Sequence, residues 1–158
     1  MRSIAVIAAS ALSFVFAFSS LSAAATPVGC SVLTQAQLSE ATGATMGAGS
    51  PIAAPTSCQW FGQGKIVTLT IRGPLSGKSP VDQFNDARKK TIAGITVEPV
   101  GGVGDDAYYV YFAGQNRAGC GLVVKKGASV FEVRVYGFEL QQAKTVSKVL
   151  AQQAAAKF

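Results

Sequence analysis

Residues 97–112, VEPVGGVGDDAYYVYF, carry the most suggestive spacing in the chain: Gly102-x-Gly104-x-x-Ala107 behind an apolar run, with Asp105 and Asp106 alongside. Glycines so spaced cradle a dinucleotide only when a helix opens directly behind them, because the pyrophosphate is held by that helix's free N–H groups. Here AYYVYF follows, an aromatic and β-branched run that favours a strand. Two aspartates would stand beside the phosphates, and no acid lies about twenty positions further on to take a ribose hydroxyl. Calcium needs six or more oxygens, and Asp105, Asp106 and Glu98 lack the spacing of an EF-hand loop. The stretch is therefore expected to be a turn. Gly101, Gly102 and Gly104 supply positive φ, and the aspartates satisfy local backbone donors.

The chain has no histidine. That removes Ser-His-Asp and Cys-His catalysis, His-ligated zinc and the usual pH switch together. Cys120, in RAGCGLVV, has Arg117 nearby but no proton acceptor, and reads as a buried unpaired thiol. Among eight acids, Asp82 and Asp86 flank one expected helix and Glu139 opens another, so no glycosidase pair stands out. No catalytic, cofactor or metal residue is assigned, and the expectation is a protein that is not an enzyme. What remains is aromatic. Strand alternation sends Tyr109 and Tyr111 to one face; with Arg134 and Tyr136 on a neighbouring strand, they form a candidate binding face for a glycan, a peptide or a protein partner. Nucleic acid is not expected, because the chain reads as exported.

Export is read from the first residues, MRSIAVIAASALSFVFAFSSLSAAATP: one Arg, an apolar run from Ile4 to Leu21, then small residues. That is the layout of a secretory signal peptide, with cleavage expected after Ala25. No Lys or Arg follows until Lys65 to act as a stop. Residues 26–158 are then a single α+β domain without a membrane span, secreted or periplasmic. It carries 13 basic against 8 acidic residues once Arg2 is gone, a net charge of +5 that favours weak, salt-sensitive contact with polyanions. A lipoprotein anchored through Cys30 is the lesser alternative, because Pro27 occupies the position where a lipobox has an aliphatic residue. Three cysteines in an exported chain imply one disulfide and one leftover. Cys30 with Cys58 would tie the start of the domain to its first strand, stabilising it by roughly 3 kcal/mol. If Cys30 were acylated, Cys58 and Cys120 would be the natural pair.

The elements that must position these residues are well marked. LTQAQLSEATG reads as a helix with Thr34 and Gln37 as a capping box, Leu33 and Leu38 as a staple and Gly43 as the left-handed C-terminal residue. Residues 44–57, rich in Gly, Pro and small side chains, read as an irregular connection or frayed edge strand. SCQWF and KIVTLTIRG form a hairpin. SPVDQFNDARKKTIAG is a helix with Ser79 as N-cap, Pro80 first and Gly94 closing it. ITVEPV, AYYVYF, CGLVVKK and SVFEVRVYG are four further strands, and the last shows the alternation of a sheet solvated on one side. In the closing helix Leu140, Ala143, Val146, Leu150 and Ala154 share one stripe. The fold class is α+β: an antiparallel sheet of about five or six strands with helices packed on one face, in the order α-ββ-α-ββββ-α.

CSVLTQAQLSEATG, SCQW, GGVGDDAYY, the VKKGASVFEVRV strand pair and the Ala-rich last helix together resemble small exported bacterial domains of unknown function, many of them actinobacterial lipoproteins. These share a Cys-x-Leu-Leu-Thr helix start, a second Cys before an aromatic and a Gly-x-Gly-Asp turn. The resemblance covers most of the chain beyond the leader and implies pairing of Cys30 with Cys58; it brings no catalytic residue. The chain departs from it in lacking a separate lipobox and in adding Cys120. The expected function is an exported binding module of the bacterial envelope with an envelope protein or glycan as partner; the alternative is a lipid-anchored structural or assembly component.

Overall fold

A computed structural model describes residues 28–114 and 119–158. The expected signal peptide, residues 1–25, and Arg117 lie outside them. The elements run α1 (Gly29–Val32), α2 (Gln35–Thr42), β1 (Ser50–Ile52), β2 (Ala54–Gly62), β3 (Lys65–Ile71), α3 (Pro80–Lys89), β4 (Ile95–Val100), β5 (Asp106–Phe112), β6 (Cys120–Lys126), β7 (Ser129–Tyr136) and α4 (Leu140–Ala155). The strands form one antiparallel sheet of seven, ordered β1-β2-β3-β7-β6-β5-β4.

The seventh strand is β1, three residues from the segment read as irregular or frayed; it pairs with β2 in a register that shifts after Pro51. The larger departure concerns the helices. α1, α2 and α4 lie on one face, but α3 lies on the other, so the sheet is covered on both sides. Phe84 of α3 packs with Tyr108, Val123 and Val130, flanked by Val81, Ala87, Val97 and Val110. The reason is visible in β6, where Leu122, Val123 and Val124 are all buried. A strand that buries consecutive residues must be covered on both faces.

The main core lies under α4 and α2. There Trp60, Leu69, Leu122, Phe131 and Val133 of the sheet meet Val146, Leu150 and Ala154 of α4 and Leu38 of α2. Each large apolar side chain buried in this way contributes about 1.5–3 kcal/mol. Thr34 Oγ1 accepts from the Gln37 N–H at 3.2 Å while the Thr34 N–H donates to Gln37 Oε1 at 2.8 Å, and Gly43 has φ 64°, so both ends of α2 form as the sequence implies. Cys30 is bonded to Cys58, tying α1 to β2. A loop of that length, with 28 residues of separation, restricts the unfolded chain enough to stabilise the fold by about 3–4 kcal/mol.

α3 starts at the Ser79–Asp82 capping box, as expected, but stops at Lys89. Gly94 does not close it. Gly94, at φ 77°, is instead the third residue of a tight turn in which the Ile95 N–H donates to the Ile92 carbonyl at 3.0 Å. A turn with that residue at positive φ requires glycine. The chain thus leaves β3 in the middle of the sheet, crosses one face as α3, turns at Gly94 and enters the far edge as β4.

Candidate functional site

The crossing helix covers only part of its face. Between the C-terminal end of α3 and the sheet lies a groove of about 270 Å³, just below the range of about 300–1,000 Å³ usual for ligand sites. One wall is Ala87, Lys90 and Ile92, from α3 and the residues after it. The floor is Ile95 and Val97 of β4, Tyr108 and Val110 of β5, and Val123 of β6. The other wall is charged: Arg72, just beyond β3, with Glu132 and Arg134 of β7.

The register explains the mixture. Val97 pairs with Val110, Val110 with Gly121, and Gly121 with Arg134, so these four form one row across the face. Tyr108, Val123 and Glu132 form the next row. Gly121 is the gap in the first row. A Cβ there would lie 2.6 Å from Glu132 Oε1 and 3.1 Å from an Arg134 terminal nitrogen, so the ion pair lies flat across a position that has no side chain. Glycine inside a strand commonly marks such a close approach.

Glu132 holds both guanidinium groups. Its Oε1 accepts from Arg134 Nε at 2.9 Å and from a terminal nitrogen of Arg134 at 2.6 Å, and its Oε2 accepts from Arg72 at 3.0 Å. The side chains are 15% exposed at Glu132, 27% at Arg72 and 31% at Arg134. Burial alone would push the Glu132 carboxyl up, but the Arg134 guanidinium, with Arg72 behind it, outweighs burial and holds it below the usual carboxylate range. The cluster therefore keeps one negative and two positive charges. Lys90, at the mouth, makes no side-chain hydrogen bond or ion pair among the described residues.

The candidate face of Tyr109, Tyr111, Arg134 and Tyr136 does not exist as one surface. β5 and β7 are separated by β6, and Tyr109 lines up through Leu122 with Val133, one residue out of step with Arg134. Tyr109 and Tyr111 point toward α4, whereas Arg134 and Tyr136 point to the α3 side. The first two are also engaged. The Tyr109 hydroxyl donates to the Lys144 carbonyl at 3.1 Å, and the Tyr111 hydroxyl donates to Glu98 at 2.8 Å. Only Arg134 lines the groove; Tyr136 packs its ring over Gly119, where a Cβ would sit 2.5 Å from the ring. Sequence reasoning missed Arg72, Glu132 and the valine floor. The signal was the offset of two between Glu132 and Arg134, which places both on one face, and Arg72 needed the β3–β7 register.

The other features singled out in the sequence do structural work. In GGVGDD, Gly102 and Gly104 have φ 80° and 58°, and the strand β5, with no helix, follows. The Asp105 N–H donates to the Lys125 carbonyl at 2.9 Å, so it is not offered to a phosphate. Asp105 does not cap its own turn; it reaches the β6–β7 turn, accepting from the Gly127 N–H at 2.7 Å and from Lys126 at 3.1 Å. Asp106 pairs with Arg88. On the opposite face Lys144 donates to Glu98 at 2.6 Å, a strut between α4 and β4. Lys144 and Tyr111, both bonded to Glu98, hold its carboxyl below the ordinary range. Cys120 is buried and unpaired, and burial pushes its thiol up to about 11. With the Cys30 sulfur engaged in the disulfide, it has no valence for a lipid thioether. Among the described residues no three His, Cys, Asp or Glu side chains gather where they could hold a metal, and no helix is long and apolar enough to cross a membrane. Compared with family models, curated proteins and solved structures, the chain matches none.

Proposed function

We propose that the protein is an exported, non-enzymatic binding module of the bacterial envelope, and that its ligand sits in the groove between α3 and the sheet. One observation carries this reading: α3 leaves part of its sheet face open as a groove of about 270 Å³ with an apolar floor and a fixed charged wall. Concave apolar sites with a few oriented polar groups are the usual form of small-molecule recognition. The single carboxylate in the groove, Glu132, is already committed to two arginines, which supports holding over proton transfer. The disulfide is compatible with an oxidising compartment, and the resemblance to exported actinobacterial domains supports the same placement.

A crystallographic fragment screen tests the site. Fragments are expected on Val97, Val110 and Val123 beneath the end of α3. Fragments collecting instead at Glu98 and Lys144 on the α4 side, or finding no site at all, would refute it.

A further inference from the structure

We infer that the groove selects a small aliphatic monoanion, a medium-chain carboxylate whose tail lies on Val97, Val110 and Val123 and whose head meets the guanidinium groups of Arg72 and Arg134. This rests on the groove being the working site and adds what enters it.

Charge sets the sign. Arg72, Arg134 and Glu132 are mostly shielded from water and together leave one uncompensated positive charge. Charge held out of water is costly unless paired, and an arriving anion supplies the partner. Lys90 is exposed at the mouth, where solvent screens it, so the enclosed excess matches one negative charge and not two. A cationic ligand would meet that excess as repulsion.

Geometry sets the head group. Arg72 gives only one terminal nitrogen to Glu132, so its remaining donors have no described partner. Arg134 presents Nε and a terminal nitrogen to the same carboxylate oxygen, which fixes the plane of its fork. That edge of Arg134 is spent on Glu132, so the head group meets the terminal N–H groups that the two guanidiniums have left, and donors from two fixed guanidiniums suit the two oxygens of a carboxylate. Gly121 lets Arg134 lie against the sheet, so the cationic wall reaches the level of the floor. Glu132 acts as a positioning residue that holds two donors for a third party.

Composition sets the body. The floor is β-branched and aromatic side chains standing on the sheet, and β5 and β6, which carry Tyr108, Val110 and Val123, have ladders on both sides, so there it offers apolar contact without backbone donors. Ile92, 51% exposed on the opposite wall, extends that contact to the mouth. A sugar, with hydroxyls all round, would leave most of them unpaired on this surface.

The test compares three probes of equal chain length, octanoate, octan-1-ol and octylammonium, titrated into the purified full chain and followed by amide chemical shifts and calorimetry. Octanoate is expected to bind about tenfold tighter than octan-1-ol, the return of one charge-assisted hydrogen bond. Octylammonium is expected to bind more weakly than both, and the octanoate preference should shrink at high salt. Arg72→Gln should remove the preference while leaving octan-1-ol binding intact, and Val110→Trp, which fills the floor, should abolish both. Octan-1-ol binding as tightly as octanoate to the wild-type protein would overturn the inference and leave the groove standing as a site. No binding of any probe would overturn both.

Discussion

Replacing Gly121 with alanine sets two opposing effects against each other, and the structure says which wins. The backbone at Gly121 is extended within β6, so alanine by itself should stabilise the strand by about 0.5–1 kcal/mol through the unfolded chain's lost freedom. The new Cβ, however, would stand 2.6 Å from Glu132 Oε1 and 3.1–3.2 Å from two Arg134 nitrogens. These are side-chain tips and can move, but moving them breaks the Glu132–Arg134 pair, whose charge-assisted hydrogen bonds are worth about 1.5–3 kcal/mol. The net expectation is a loss of about 1–2 kcal/mol, or a Tm lower by roughly 4–8 °C. Urea denaturation of the disulfide-intact protein measures it, as a lower midpoint at unchanged slope. The same substitution in a Glu132→Ala, Arg134→Ala background should reverse sign and stabilise by about 0.5 kcal/mol, because the three atoms nearest the new Cβ are then gone. Equal effects in the two backgrounds would refute the idea that glycine is there for the ion pair.

Cys120 should resist thiol reagents at pH 8 in the native protein, since burial removes both access and thiolate, and should take one label once denaturant is added without reductant; prompt labelling of the folded protein would contradict its burial. Glu98 should titrate by NMR below the ordinary glutamate value of about 4.3, and Lys144→Met should raise it toward that value. Because the folded-state value is the lower one, the stability Glu98 contributes is complete above the unfolded carboxyl's range and is lost as pH falls through the folded value. The stability difference between wild type and Lys144→Met should therefore close in acid, and a gap that persists there would show that Lys144 acts by packing alone.

Local chemistry made much of this fold legible in the sequence. The Thr34–Gln37 and Ser79–Asp82 capping boxes form where their spacing places them, and the α4 stripe of Ala143, Val146, Leu150 and Ala154 is the buried one. Gly94 failed as a helix end because a turn needed the same left-handed residue more. The second helical layer was written in Leu122-Val123-Val124, three adjacent buried residues, but the alternation of Glu132 and Arg134 in β7 pointed to open solvent. Both signals are correct, because α3 covers part of that face and leaves the rest. The site was less legible for a stronger reason. Which residues share a row depends on register, and a one-residue offset between β5 and β7 moves Tyr109 to the face opposite Arg134. No single strand carries that information. Arg72, Glu132 and Val110 become neighbours only once β3, β7, β6 and β5 are laid side by side.

Pro99 of β4, on the outer edge of the sheet, is paired with Tyr108. The Ala113 N–H bonds to the Gly94 carbonyl, so by strict alternation the Pro99 nitrogen faces outward, where its missing hydrogen costs the sheet nothing. A guest strand arriving from solvent would lose a rung there, next to the Glu98 carboxylate. At the opposite margin β1 offers only three residues. Neighbouring copies crowded together thus lack a template for zipping into a continuous ribbon, and contact with other molecules is diverted from the margins to the broad sides of the slab.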